Sequence, residues 1–289
     1  NPQQQAAVVH EGSPLLIVAG AGSGKTAVLT RRIAYLLHNR GVAPWQLLAI
    51  TFTNKAAAEM KERVGQLVGP EAERMWVATF HSVCVRILRQ QAQLVPGLNT
   101  NFTIYDSDDS RRLLGMIAKD FNLDLKKFTP RALANGISNL KNELVGPEEA
   151  LANAERTHNP FETTVAKVYA EYQRRLRQSN ALDFDDLIGE VVHIFKEHPQ
   201  VTDYYRRRFR HVLVDEYQDT NHAQYELIHT LVGDGPDAPE LAVVGDSDQS
   251  IYAFRGATIR NIEEFERDYP SATTIMLEQN YRSTQNILG

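Results

Sequence analysis

LLIVAGAGSGKT, residues 15–26, sets four apolar side chains ahead of a glycine-rich turn that closes on a lysine and a threonine. Leu15–Val18 has the length and apolar continuity of a buried parallel strand. Behind it, Gly20, Gly22 and Gly24 lack Cβ atoms and let backbone N–H groups crowd around a polyphosphate. The cradle runs through Ala19, Gly20, Ala21, Gly22, Ser23 and Gly24; Ala19 takes a position that this loop pattern usually gives to glycine. A helix starting near Gly24 points its positive end at the same anion. In that geometry Lys25 reaches the β and γ phosphates and the Thr26 hydroxyl holds Mg²⁺. The stretch is a nucleotide phosphate site.

Outward from this loop the pattern alternates. Leu29, Ile33, Leu36 and Leu37 form a helical stripe that Gly41 terminates, and Leu47–Phe52 follows as a strand. Met60, Val64, Leu67 and Val68 mark a second helix ending near Gly69, and Trp76–Thr79 is a third strand. Strands alternating with helices predict an α/β fold, a parallel sheet with helices on both faces and ligands at the carboxyl ends of the strands. From about Val83 to Lys196 the alternation stops. Ser107–Asp109 is a helix start, Thr129–Pro130 is a cap with proline at the first helical position, and Val165, Val168, Tyr169, Tyr172 and Leu176 make a stripe. Asp183, Asp185 and Asp186 suggest either a metal site or, more simply, an acidic first turn favoured by the helix dipole. The block is an inserted, mainly helical domain. The sheet then resumes with Val212–Val214, Leu241–Val244 and Thr274–Leu277.

The first of these later strands runs into Asp215 and Glu216. Paired with a phosphate loop, the first carboxylate takes Mg²⁺ through water and its neighbour orients and deprotonates an attacking water.

Composition narrows the alternatives. The 289 residues suffice for two domains, 43% are hydrophobic and 23% charged, and no apolar run approaches membrane-spanning length. The polar start, Asn1–Gln5, is no signal peptide. Cys84 is the single cysteine, which leaves no internal disulfide and fits a packed core thiol in a cytoplasmic protein. Histidines lack metal-ligand spacing. A net charge of −5 argues against wholesale electrostatic binding to nucleic acid but permits a local groove. The basic clusters at Arg111–Arg112, Lys126–Lys127, Arg174–Arg177 and Arg206–Arg210 are, taken alone, solvated helix faces.

The run VDEYQDTN, Val214–Asn221, resembles the second motif of superfamily 1 DNA helicases, and more narrowly of the UvrD, PcrA and Rep group. NPQQQ (1–5), AGAGSGKT (19–26), TFTNKAAAEM (51–60), TFHS (79–82), LDFDDL (182–187), VGDSDQSIYAFRGA (244–257) and LEQNYRST (277–284) continue the likeness in order. The resemblance covers the whole chain. It implies a RecA-like ATP-binding domain from 1–82 and 197–278, a helical insertion from 83–196, and at 279–289 the start of a linker to a second RecA-like domain. It further implies that Gln4 reads adenine, Tyr281 stacks on it, Gln249 senses the γ phosphate and Arg282 neutralises charge on the transferred group. Phe52, Tyr252 and Phe254 are the implied stacking surface for single-stranded DNA, with Asn54, Thr79, His81 and Arg255 as polar contacts. Phe52, at a strand end, is also a candidate core residue. Phe254 stands where relatives often carry tryptophan.

The implied activity is ATP- and Mg²⁺-dependent translocation on single-stranded DNA and 3′ to 5′ unwinding of 3′-tailed duplexes, with DNA-repair proteins as partners and no membrane. Two other classes compete. A GTPase is weakly suggested by Asn54 and Lys55, but Ala57 occupies the position that needs aspartate. A nucleotide-gated DNA-binding or partner-docking piece without helicase activity is the other.

Overall fold

The computed structural model describes residues 1–20, 24–246 and 256–277, with side chains of the last segment from 261 onward. Its strands are β1 (Leu15–Ala19), β2 (Leu47–Thr51), β3 (Trp76–Thr79), β4 (Thr103–Tyr105), β5 (Ala181–Asp183), β6 (His211–Val214), β7 (Glu240–Asp246) and β8 (Thr273–Met276). The helices are α1 (Pro2–Val9), α2 (Lys25–His38), α3 (Asn54–Val68), α4 (Phe80–Gln91), α5 (Ser107–Asp120) and α6 (Pro130–Asn142). They continue with α7 (Pro147–Arg156), α8 (Pro160–Gln178), α9 (Phe184–Glu197), α10 (Pro199–Arg208), α11 (His222–Val232) and α12 (Gly256–Asp268). The chain divides into two units: Asn1–Val83 with Gln200–Thr220 and Leu231–Gly289, and Cys84–Pro199 with Asn221–Thr230.

The first unit is built on a parallel sheet of order β3-β2-β6-β7-β1-β8. Every residue of β1, β2 and β6 is buried, as a parallel strand covered on both faces requires. β7 separates β1 from β6, pairing Ala19 with Asp246 on one side and Val214 with Val243 on the other. The carboxyl ends of β1, β7 and β6 therefore lie side by side. This is the RecA-like α/β architecture.

Local chemistry sets the helix boundaries. Gly24, the N-cap of α2, adopts a left-handed conformation (φ 78°, ψ 26°) that a side chain would strain. Val28, Leu29, Ile33, Leu36 and Leu37 then bury one face of α2. Thr53 caps α3, its hydroxyl accepting the Ala56 N–H at 3.0 Å, and Gly69 (φ 87°) ends it. The buried stripe of α3 is Ala57, Met60 and Val64; Leu67, expected on that stripe, is 51% exposed, while Val68 beside it packs against the core. β2 stops at Thr51, so Phe52 falls in the bend that follows it.

The second unit is mainly helical, and its core gathers α5, α6, α7 and α8 around Leu114, Ile117, Leu133, Ile137, Val168, Tyr172 and Leu176. It also holds a short parallel pair, β4 and β5, that the helical stripes did not announce. Neither strand joins the main sheet. The aspartates before Leu187 have a fuller explanation than the helix dipole. Asp183 caps α9 and forms a reciprocal capping box with Asp186, and Lys141 of α6 lies 2.7 Å from Asp183 and 2.9 Å from Asp186. Burial opposes the charge on Lys141, but both carboxylates outweigh it and hold its pKa above the ordinary lysine value. Tyr172 adds a hydrogen bond to Asp183 at 2.8 Å.

The basic clusters are largely occupied within the fold. Arg175 pairs with Asp120 and Glu171, Arg177 with Glu190 and Asp186, and Arg206 and Arg210 donate to the carbonyls of Leu231 and Arg206. Cys84 is fully buried, and burial pushes its thiol far up from the ordinary value, which makes it an inert core group. Among the described residues no helix is long and apolar enough to cross a membrane, and no cluster of His, Cys, Asp and Glu has the form of a metal centre.

Candidate nucleotide site

Lys25 opens α2, the element that follows β1, and Glu216 follows β6 by two residues; the order of the strands brings their side chains together. Lys25 Nζ donates to Glu216 Oε1 at 2.8 Å. Both groups are part-buried, at 23% and 34% side-chain exposure, so the pair is shielded without being sealed. Burial works against charge on each. It is outweighed on Lys25 by the hydrogen bond and charge of Glu216, with Asp215 and Asp246 adding to it, so the ammonium sits above its ordinary pKa. On Glu216 it is outweighed by hydrogen bonds from Lys25 and Gln218, so the carboxyl sits below its own.

The backbone aims Glu216. It occupies the left-handed region (φ 50°, ψ 44°), uncommon for a residue with a side chain and held here by its neighbours. Its N–H donates to Asp215 Oδ1 at 2.8 Å, while the Asp215 N–H donates to the Ile50 carbonyl at 3.0 Å and keeps the chain in register with β2. Gln218 then clamps the carboxylate, its Nε2 donating to Glu216 Oε2 at 2.6 Å and its Oε1 accepting the Asp246 N–H at 2.9 Å. Asn261 of α12 fixes the turn by donating to the carbonyls of Gln218 and Thr220 at 2.8 and 3.0 Å. Sequence reasoning passed over Gln218 and Asn261. Gln218 stands two residues after Glu216 inside the quoted VDEYQDTN run, whereas nothing near Asn261 signals its role.

Asp215 is 8% exposed, and among the described residues the hydrogen bond to its carboxylate comes from the Glu216 N–H. Burial, reinforced by the Glu216 charge, pushes its pKa up. A carboxylate whose charge burial and Glu216 disfavour suits a cation ligand, and Thr26, half-buried on the first turn of α2, supplies a hydroxyl oxygen of the kind Mg²⁺ prefers. On the other flank, a Cβ at Gly24 would come within 3.4 Å of Gln4 Nε2, so the amide of α1 abuts the start of α2.

The remaining expected residues are distributed as follows. Ala19 and Gly20 are buried at the end of β1. Phe52 is half-buried and meets Phe80 edge-on at 5.3 Å, leaving part of its ring open. Asn54 is exposed at the start of α3. Thr79 is 8% exposed and its hydroxyl is engaged with Ser82, donating to Oγ at 3.0 Å and accepting the N–H at 3.1 Å, so its nearer task is starting α4. His81 follows on α4, with burial lowering its pKa. Ala21, Gly22, Ser23, Gln249, Tyr252, Phe254, Arg255, Tyr281 and Arg282 lie outside the described residues.

A parallel sheet with Lys25 after one strand and an acidic pair after a strand two positions away is the arrangement of a RecA-like α/β fold. Residues 1–270 match the family described as UvrD/REP helicase N-terminal domain, and the chain belongs to that family. It is 70% identical over 293 residues to the ATP-dependent DNA helicase UvrD1 of Mycobacterium tuberculosis (strain H37Rv), a match that covers 100% of this chain and 38% of that protein. The corresponding identity is 68% over 297 residues for UvrD1 of Mycobacterium leprae, of which 38% is covered. For the ATP-dependent DNA helicase PcrA of Staphylococcus aureus (strain NCTC 8325) it is 54% over 289 residues, 39% of that protein. The chain thus spans well under half the length of these curated relatives.

Proposed function

We propose that this chain is the ATP-binding portion of an ATP-driven, 3′ to 5′ single-stranded DNA translocase and helicase. The observation that carries the reading is the 2.8 Å contact between Lys25 and Glu216 beside the buried Asp215, which joins a phosphate-binding cation to a water-activating base in one site. On this reading 1–82 and 197–278 form the ATP-binding domain, 83–196 the helical insertion, and 279–289 the approach to a second RecA-like domain. The protein works in the cytoplasm on 3′-tailed duplexes, alongside DNA-repair proteins.

The pair acts as an exchange. Lys25 leaves Glu216 for the β and γ phosphates, whose negative charge is larger. Freed of the ammonium, Glu216 gains proton affinity at the moment it must take a proton from the attacking water, while Gln218 keeps it aimed. Thr26 and Asp215 would hold Mg²⁺, which when bound with the nucleotide offsets charge on the phosphate oxygens. Gln4 reads the adenine edge and Tyr281 stacks on the ring; Gln249 and Arg282 act at the γ phosphate. DNA passes over Phe52, Tyr252 and Phe254, with Asn54, Thr79, His81 and Arg255 contacting the strand. The positions of Phe52 and Thr79 at the carboxyl ends of β2 and β3, the edge that also carries Lys25, support this route.

Two substitutions separate the roles. Lys25→Ala is expected to abolish tight Mg·ATP binding, because the lysine meets ground-state charge; Glu216→Gln is expected to keep binding and to lose hydrolysis in a longer, active chain. Equal loss of binding in both would overturn the assignment. A nucleotide-gated DNA-binding role without helicase activity is the second reading, and steady-state ATPase with and without single-stranded DNA separates the two.

A further inference from the structure

Arg32 lies on α2, seven residues and two turns beyond Lys25, and is 2% exposed. Its described hydrogen bonds go to no carboxylate. Nη1 donates to the carbonyls of Ala7, Val8 and His10 at 3.1, 3.3 and 2.8 Å, and Nε is buried without a partner. A buried guanidinium is costly unless its bonds accomplish something that a leucine could not.

What these bonds hold is the end of α1. That helix has 8 residues, too few to persist in water unaided, and buries only Ala7 and Val8. Its last carbonyls have no intrahelical donors, and the cation supplies them while matching the negative end of the helix dipole. The other end is closed by Asn1, whose Oδ1 accepts the Gln4 N–H at 2.8 Å. Gln4, Ala7 and Val8 fall at i, i+3 and i+4, so they share the face of α1 that packs on α2. Gln4 Nε2 accordingly lies 3.4 Å from the point where a Cβ would stand on Gly24.

We propose that Arg32 is a positioning residue for base recognition: by fastening the carboxyl end of α1 to α2, it fixes Gln4 relative to Gly24 at the head of α2 and so sets the preference for adenine over guanine nucleotides. The proposal rests on the reading of Gln4 as the adenine reader. Arg32 touches neither base nor phosphate, and its effect is confined to the register between two helices.

The test is calorimetric binding of Mg·ATP, Mg·GTP and inorganic tripolyphosphate to the 289-residue chain and to Arg32→Met, Arg32→Lys and Gln4→Ala. Arg32→Met is expected to cut the ATP-to-GTP affinity ratio roughly tenfold and to leave tripolyphosphate affinity within about twofold. Arg32→Lys, which keeps a cation but loses the planar fork, is expected to lose about threefold in the same ratio. A general loss of structure predicts something else, a parallel loss of ATP and tripolyphosphate, and that result overturns the proposal. If Gln4→Ala collapses the ratio while Arg32→Met leaves it intact, Gln4 reads the base without help from Arg32 and the proposal fails alone. If Gln4→Ala leaves the ratio intact, the reading of Gln4 fails and takes the proposal with it. Should Arg32→Met lose its cooperative thermal transition, Arg32→Lys decides, and an unchanged ratio in that variant overturns the proposal.

Discussion

Lys25 and Glu216 hold each other charged across the conditions in which the site must work, and the two shifts set the limits. Glu216 lies below its ordinary pKa, so the pair forms fully above the carboxylate range and is lost as pH falls through the depressed value. Lys25 lies above its own, so the pair is lost again only as pH rises through the elevated lysine value. Gln218 contributes to the first limit. Gln218→Leu is therefore expected to move the Glu216 carboxyl titration to higher pH in a carboxyl-carbon NMR titration of the nucleotide-free chain; an unmoved titration would mean that Lys25 alone sets it. Lys25, Thr26, Asp215 and Glu216 stood out in the sequence because each belongs to a run of consecutive residues with one local pattern, and the structure brings Lys25 and Glu216 together. The Gln218 bridge to the Asp246 N–H did not stand out, since it forms only when β6 and β7 lie side by side and bring together residues 28 positions apart.

At the scale of elements, the sheet and its helices followed from apolar periodicity, and polar side chains that join distant elements did not. Glu240, at the start of β7, accepts the Gly12 N–H at 2.7 Å and two bonds from Arg40 at 3.0 and 3.2 Å, with His211 Nδ1 at 3.1 Å. Burial opposes the carboxylate, but these partners prevail and bring its pKa to about 2. The shift is downward, so its stabilisation is present above the unfolded glutamate value and is lost as pH falls toward the folded one. Glu240→Gln is expected to cost the first unit on the order of 2–3 kcal/mol at neutral pH and to flatten its stability between about pH 4.5 and 2. Urea midpoints measured across that range check both, and a variant as acid-sensitive as the parent would contradict the assignment. In the second unit, the aspartates of LDFDDL signalled a helix start, while their partner Lys141 lay hidden in an unremarkable helix 42 residues earlier. Lys141→Met leaves Asp183 without its cation and Asp186 with Arg177 alone, and is expected to cost about 3–5 kcal/mol, read from amide exchange along α8 and α9. A loss below about 1 kcal/mol would mean that Arg177 and the capping bonds suffice to hold them.

For the whole molecule, the sequence announced an interruption of the sheet through a change of period from alternation to helical stripes, and the main sheet does draw no strand from that stretch. The β4–β5 pair escaped notice because three-residue strands carry too little periodicity to stand out from the helices around them. We propose that the chain holds one wall of a nucleotide cleft whose opposite wall belongs to a second RecA-like domain; an arginine contributed from such a wall is worth about 10³–10⁵ in turnover in related phosphoryl-transfer enzymes. Directional movement also needs two grips on DNA whose spacing changes with nucleotide state. The isolated chain is therefore expected to show ATPase near background with or without single-stranded DNA and no unwinding of a 3′-tailed duplex, in a steady-state assay on verified monomer. The central claim, that the exchange of Lys25 from Glu216 to phosphate builds a nucleotide site in this chain, is tested most directly by titrating Mg·ATP calorimetrically into the wild-type chain and into Lys25→Ala. The account predicts saturable, one-site binding to the first and its loss in the second; equal binding by both, or none by either, would contradict it.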